Sequence, residues 1–153
     1  MTTNINFDQL RKDANDIFHA GFTCSESVIY TIRKAFDLDM SDDAIKMSSG
    51  FPWGLGGGGC ICGALAGATM CIGYFFGRST PGDPSNIRCF ELTKEFHDYF
   101  KEICGGTCCR VLTRGFERNS LERKAQCTKF VEATVVKVAE IILRELKKDQ
   151  DGE

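Results

Sequence analysis

The stretch Gly56–Phe76, GGGGCICGALAGATMCIGYFF, decides how the rest of this 153-residue chain reads. Four glycines in a row give up more backbone entropy on folding than any other tetrapeptide would, so something at this spot must offset the loss. The run leads into Cys60 and Cys62, one residue apart, and then into a small, apolar segment. From Ile61 to Phe76 there are 16 mostly apolar residues, interrupted by glycines. That is short of the roughly 20 needed to span a bilayer. A buried helix from about Cys62 to Phe76 is therefore expected, with Gly63, Ala64, Ala66, Gly67, Ala68 and Gly73 letting a neighbouring backbone approach closely.

Working outward, helical spacing recurs on both sides. Phe7–Ala20 carries Leu10, Ala14 and Ile17 on one face and meets Gly21 where a helix stop is expected. CSESVIYTIRKAFDL, from Cys24, aligns Cys24, Val28, Ile32 and Phe36. SDDAIKMSSGF begins with Ser41 as a helix cap, followed by acidic residues in the first turn. GRSTPGDPSN is a loop by its Pro, Gly and Asn content. Ile87–Ile103 is amphipathic, offering Phe90, Phe96 and Phe100 to a core before Gly105 and Gly106 break it. A short helix is expected through CCRVLTRGF. Leu121–Lys148 forms the longest, with Cys127, Val131, Val135, Val138, Ile142 and Leu146 in one stripe. No strand alternation and no internal repeat appear. The fold class is all-α: one domain over residues 1–153, a compact multi-helix bundle in which a glycine-rich loop leads into a central small-residue helix. The small-residue face of that helix can pack within one molecule or across a homodimer.

Hydrophobic content of 42%, charged content of 26% and a net charge of −2 suit a globular protein and leave no basic footprint for nucleic acid. MTTNINFDQLRKDAND lacks the basic start and apolar segment of a secretory leader, which predicts a cytoplasmic protein without membrane insertion. Nine cysteines then become the anomaly. In a reducing compartment they point to metal ligation or thiol chemistry rather than a disulfide framework, and an odd number cannot all pair within one molecule. Some act simply as small buried hydrophobes; Cys71 and Cys89 read this way.

Four cysteines share one local setting. Cys24, Cys62, Cys109 and Cys127 each fall at or near the start of an expected helix and head an apolar stripe, so their sulfurs should point inward. A helix N-terminus carries unpaired N–H groups and partial positive charge, which can lower a thiol pKa from about 8.5 toward neutrality. The amides of Gly57, Gly58, Gly59 and Gly63 are candidates to approach such a sulfur and donate to it. Sharper motifs are missing: no CxxC, no CxxCH, no ferredoxin cysteine run, and no GK[ST] after the glycines. His19 and His97 read as surface or packing residues, and Trp53 as a cover over the glycine loop or a shield for a buried site.

Taken together, Cys24 in TCSESV, CGALAG at Cys62–Gly67 beneath the glycines, Cys109 in GTCCRVLTRG and Cys127 opening the last helix resemble the C-GCAxxG-C-C family of redox proteins. The likeness runs from about Ile17 to Leu146. It implies a small helical protein whose four signature cysteines serve redox chemistry. The domain is also similar to part of the split-Soret cytochromes, which carry an iron–sulfur cluster, although this chain has no haem-attachment sequence. Cys60, Cys104 and Cys108 neighbour the signature positions and are substitute ligands.

Three functions follow as expectations. The first is an iron–sulfur cluster, [2Fe–2S] by preference, held by Cys24, Cys62, Cys109 and Cys127 for electron transfer or redox sensing with an unidentified redox partner. The second is a metal-free thiol–disulfide oxidoreductase with Cys62 as nucleophile and Cys109 or Cys60 resolving. The third is a structural zinc module with four cysteine ligands, for which close CxxC pairs would be expected and are missing.

Overall fold

A computed structural model describes residues 1–152. Among them there are helices and no strands: α1 (Phe7–His19), α2 (Cys24–Ala35), α3 (Asp42–Met47), α4 (Pro52–Leu55), α5 (Gly63–Phe76), α6 (Asn86–Cys104), α7 (Cys109–Leu112) and α8 (Leu121–Asp151). No helix among them is long and apolar enough to cross a membrane.

The expected central helix is α5. It packs chiefly on α2, and α6 and α8 cover its other sides, while α1 lies across α2 and α8. Close approach to α2 depends on two glycines. A β-carbon at Gly67 would meet Ser25 O at 2.8 Å and Val28 Cβ at 3.0 Å, and one at Gly63 would collide with Cys24 Sγ. The small residues therefore serve contact within the chain, where α2 fits into the groove they leave.

The stripes read from the sequence form one core. Val28, Ile32, Phe36, Val131, Val135, Val138 and Ile142 are all fully buried, together with Phe96 and Phe100. Phe90, expected in that core, is instead 66% exposed. On α6 the face turned to α5 and α8 carries Leu92, Phe96 and Phe100, and Phe90 falls off it. On α1, Phe18 rather than Ile17 completes the buried face with Leu10 and Ala14. The short helix expected through CCRVLTRGF amounts to the single turn Cys109–Leu112.

Local signals fix the helix ends. Asn6, Ser41 and Ser120 cap α1, α3 and α8 by accepting from Gln9, Asp43 and Arg123 amides. The α4 segment is helical in hydrogen bonding only, because Trp53 and Gly54 have φ of 62° and 65°. It is better described as a left-handed turn, and it brings the chain from α3 back toward α5.

At the far end from that turn, Arg88 of α6 ties three helices together. Its guanidinium lies 4.6 Å from the Phe76 ring centre and donates through Nε to Glu145 Oε2 at 3.2 Å. Glu145 is 5% exposed and also accepts from Arg144 (2.8 Å) and Lys148 (3.1 Å). Burial by itself would raise its carboxyl pKa; the bonds from Arg144, Lys148 and Arg88 outweigh that and hold it below the usual carboxylate range. A depressed carboxyl stabilises the fold above its unfolded pKa of about 4.3, and the contribution is lost as pH falls through the folded value. Glu145→Gln should therefore lower stability by about 1–2 kcal/mol at pH 7. In pH-dependent denaturant melts the gap between variant and parent should close on acidification.

Candidate functional site

Cys24, Cys62, Cys109 and Cys127 line one cavity of about 360 Å³, although they come from four different helical segments. The remaining five cysteines are not in its lining. Cys60 is exposed, and Cys71 is wholly buried elsewhere in the core. Cys104 and Cys108, the other substitute positions, lie outside the cavity as well. The four cysteines singled out by sequence are thus the four that the fold brings together.

Each sulfur is placed by a separate device. Cys24 is the first residue of α2, entered through Thr23, whose amide donates to the Glu26 carboxylate at 3.0 Å. Cys62 is the N-cap of α5, its sulfur near the Ala64 and Leu65 amides of the first turn without a cap hydrogen bond to them. Its own N–H is held by Thr107 O at 2.6 Å, which joins the glycine-loop segment to the chain just before α7. Cys109 opens α7, and its Sγ accepts from Arg123 Nη2 at 3.3 Å. Cys127 departs from expectation. It does not open its helix but sits six residues beyond Leu121, on the face of α8 that turns toward the cavity. Arg123, one turn earlier, sets its positive charge near this sulfur as well.

Of the glycines, only Gly63 of the expected set lines the cavity; Gly57, Gly58 and Gly59 do not. Arg110 takes up that loop instead, donating through Nη2 to Gly58 O at 2.8 Å and through its amide to Gly59 O at 3.2 Å. The loop's conformational freedom therefore goes into a strained turn docked on α7, with Leu55 and Ile61 also at positive φ. Gly63 works differently, by leaving the space that Cys24 Sγ enters.

Burial overturns the expectation of an acidic Cys62. Desolvation pushes the Cys62 thiol well above its ordinary pKa, and the neighbouring Cys24 sulfur adds to the rise; the nearby Ala64 and Leu65 amides do not compensate. Cys24 is pushed up to about 12, first by burial and then by Cys127. Cys127 is raised by burial in the same way, against the pull of Arg123. The helix N-terminus is present at Cys62, but the lost hydration is the larger effect. In metal-free native protein, Cys62 and Cys24 should accordingly resist iodoacetamide at pH 7 while the exposed Cys60 reacts. Mass mapping of alkylated peptides before and after denaturation checks this.

Among the described residues, no three His, Cys, Asp or Glu side chains are close enough together to hold a single metal ion. The histidines play no part. His19 pairs with Thr128 at 3.2 Å, and the exposed His97 with Asp98 at 2.9 Å.

What sequence reasoning did not identify is the charge around the opening. Arg118, Arg123 and Lys124 line the cavity, and no carboxylate among the described residues does. Arg118 and Arg123 lie 4.5 and 4.0 Å from the Trp53 ring centre. Trp53 does lie over a buried site, in agreement with one of its two expected roles. The spacing Arg118–Arg123–Lys124 straddles the break before α8 and has no helical period, so nothing in the linear pattern marks it.

No solved structure matches the chain. A protein of Archaeoglobus fulgidus whose name assigns it no function is 23% identical over 148 residues, covering 92% of this chain and 95% of its own length. Residues 22–141, which include all four cavity cysteines, match the family described as "Putative redox-active protein (C_GCAxxG_C_C)", and the chain belongs to that family.

Proposed function

We propose that this redox-family protein uses Cys24, Cys62, Cys109 and Cys127 to hold an iron–sulfur cluster, [2Fe–2S] by preference, for electron transfer or redox sensing. The observation that carries the reading is the convergence of these four thiols, out of nine, on one cavity. Four thiolates are the ligand count of [2Fe–2S] and [4Fe–4S] centres. Structural zinc sites draw on close CxxC pairs, and the sequence has none. Such a group, when bound, supplies one-electron chemistry at a potential set by its surroundings.

The chain's own residues fit that role. Burial that makes a free thiolate costly at Cys24 and Cys62 is offset when the sulfur's charge is shared with a metal. The Arg123 guanidinium already donates to the Cys109 sulfur, and a donor of this kind raises a reduction potential by stabilising added negative charge. Phe18, Trp53, Leu112 and Phe130 limit water. The metal-free oxidoreductase is less well supported, because its nucleophile would be a buried thiol with a raised pKa.

The test is composition. Protein purified without oxygen should carry iron and acid-labile sulfide in equal amounts and absorb in the visible, bleaching on reduction. Colourless, iron-free protein that also fails to take up a cluster from ferrous iron and sulfide would remove the reading.

A further inference from the structure

The charges around the cysteine-lined cavity are one-sided. The chain as a whole is −2, yet the three ionic side chains in the lining, Arg118, Arg123 and Lys124, are all cationic. Four other arginines meet carboxylates, Arg11, Arg33, Arg88 and Arg144, while Arg78 and Arg110 bond backbone carbonyls instead. Among the described residues, neither Arg118 nor Arg123 has a carboxylate in ion-pair reach.

The two guanidiniums are nevertheless held close to one another. Both stack on Trp53, and Arg123 Nη1 donates to Arg118 O at 3.1 Å. Trp53 is kept in place by a left-handed backbone conformation (φ 62°), which is costly for a bulky residue and survives only where surroundings enforce it. Arg123 is partly committed, with Nη2 on the Cys109 sulfur. Arg118 donates to no protein acceptor among the described residues, so its planar fork of N–H groups is free. Lys124 is tied to Phe18, bonding its carbonyl at 3.0 Å and covering its ring.

Two like charges gathered on one indole, with no carboxylate partner among the described residues, favour an anion between them. A guanidinium fork matches the paired oxygens of a carboxylate or phosphate. We propose that the mouth of this cavity binds a small molecule through a carboxylate or phosphate group held by Arg118 and Arg123 over Trp53. A small molecule fits better than an acidic protein surface. The cations line a concavity of about 360 Å³ together with Phe18, Phe22 and Phe130, and apolar walls with a few convergent polar groups in that size range characterise small-ligand sites. The anionic ligand would lie beside the sulfurs, its charge next to the one guanidinium that also touches Cys109.

The inference rests on the cavity being the functional site, not on what the sulfurs hold. Trp53 is the single tryptophan of the chain, so its emission reports on its own surroundings. The full chain, as purified and after metal removal, is titrated with inorganic phosphate and with succinate at constant ionic strength, following Trp53 emission and heat by calorimetry. Saturable binding of either anion is expected, weakened about tenfold or more by Arg118→Gln, since a charge-assisted contact is worth about that factor. Lys147→Gln, which removes an exposed charge on α8, should leave affinity unchanged. Phosphate binding alone identifies a phosphoryl ligand, and succinate alone a carboxylate. Non-saturable responses to both anions, or equal affinity in Arg118→Gln and parent, overturn the proposal. Arg118 is exposed and its side chain donates to no protein group, so its variant should keep the parental circular dichroism; if it does not, Arg118→Lys, which keeps charge but loses the fork, gives the same comparison. Anion binding without a cluster, or a cluster without anion binding, tells the two proposals apart.

Discussion

Changing Cys62 to serine should strip the protein of its visible absorbance and nearly all of its iron, while Cys60→Ser leaves both as they were. The two cysteines are separated by one residue, so a role assigned by sequence neighbourhood would treat them alike. Their environments differ: Cys62 is 8% exposed and lines the cavity, whereas Cys60 is exposed and outside it. Loss of an outer hydrogen-bond partner alone lowers metal affinity about 10–100-fold, and loss of a thiolate should exceed that. Cys24→Ser, Cys109→Ser and Cys127→Ser should behave like Cys62→Ser, and Cys104→Ser and Cys108→Ser like Cys60→Ser. Iron content and absorbance are read on samples with matched thermal midpoints, so that loss of metal is not confused with loss of fold. A spectrum that survives Cys62→Ser but vanishes with Cys60→Ser or Cys108→Ser would mean that the ligand set is misassigned.

The second large effect is on stability, and its sign depends on which glycine of α5 is changed. Alanine is favoured over glycine inside a helix by about 1 kcal/mol. Gly73 has open space around its would-be β-carbon, so Gly73→Ala should stabilise by up to about 1 kcal/mol. At Gly67 the same methyl meets Ser25 O at 2.8 Å and Val28 Cβ at 3.0 Å. The obstruction is helix backbone and cannot turn aside. Overpacking of this kind costs about 1–3 kcal/mol, and with the backbone involved we expect the upper end, which exceeds the propensity gain. Gly67→Ala should then lower the thermal midpoint by roughly 5 °C. Melts of the two variants beside the parent decide it; equal midpoints for Gly67→Ala and Gly73→Ala would show that α2 and α5 are not packed as closely as described.

Much of the architecture is a local matter. Apolar spacing in Cys24–Phe36 and Val131–Ile142 specifies which faces are buried, because residues three and four apart must share a helix face wherever the helix goes. Asn6, Ser41 and Ser120 mark helix starts through bonds to amides only two or three residues away. The inward direction of Cys24 and Cys127 follows in the same way from their helical stripes, whereas Cys62 precedes its helix and Cys109 lies in a single turn. Phe90 shows the limit of such reasoning. A helix with aromatic residues on several sides does not say which side its neighbours will cover, and α6 buries Phe96 and Phe100 while leaving Phe90 in water.

Composition and periodicity determined by themselves that this chain is helical, that α5 would be close-packed, and that cysteine chemistry sets the protein apart. Only the tertiary structure decided that Cys24, Cys62, Cys109 and Cys127 share a cavity, that the glycine loop is docked on Arg110, and that Arg118 and Arg123 stack on Trp53 at the opening. It also reversed the expected acidity of Cys62. The physical reason is range. Helix formation and amphipathicity depend on residues within one or two turns, whereas desolvation and the meeting of side chains far apart in the chain depend on how the helices pack, which no local pattern encodes.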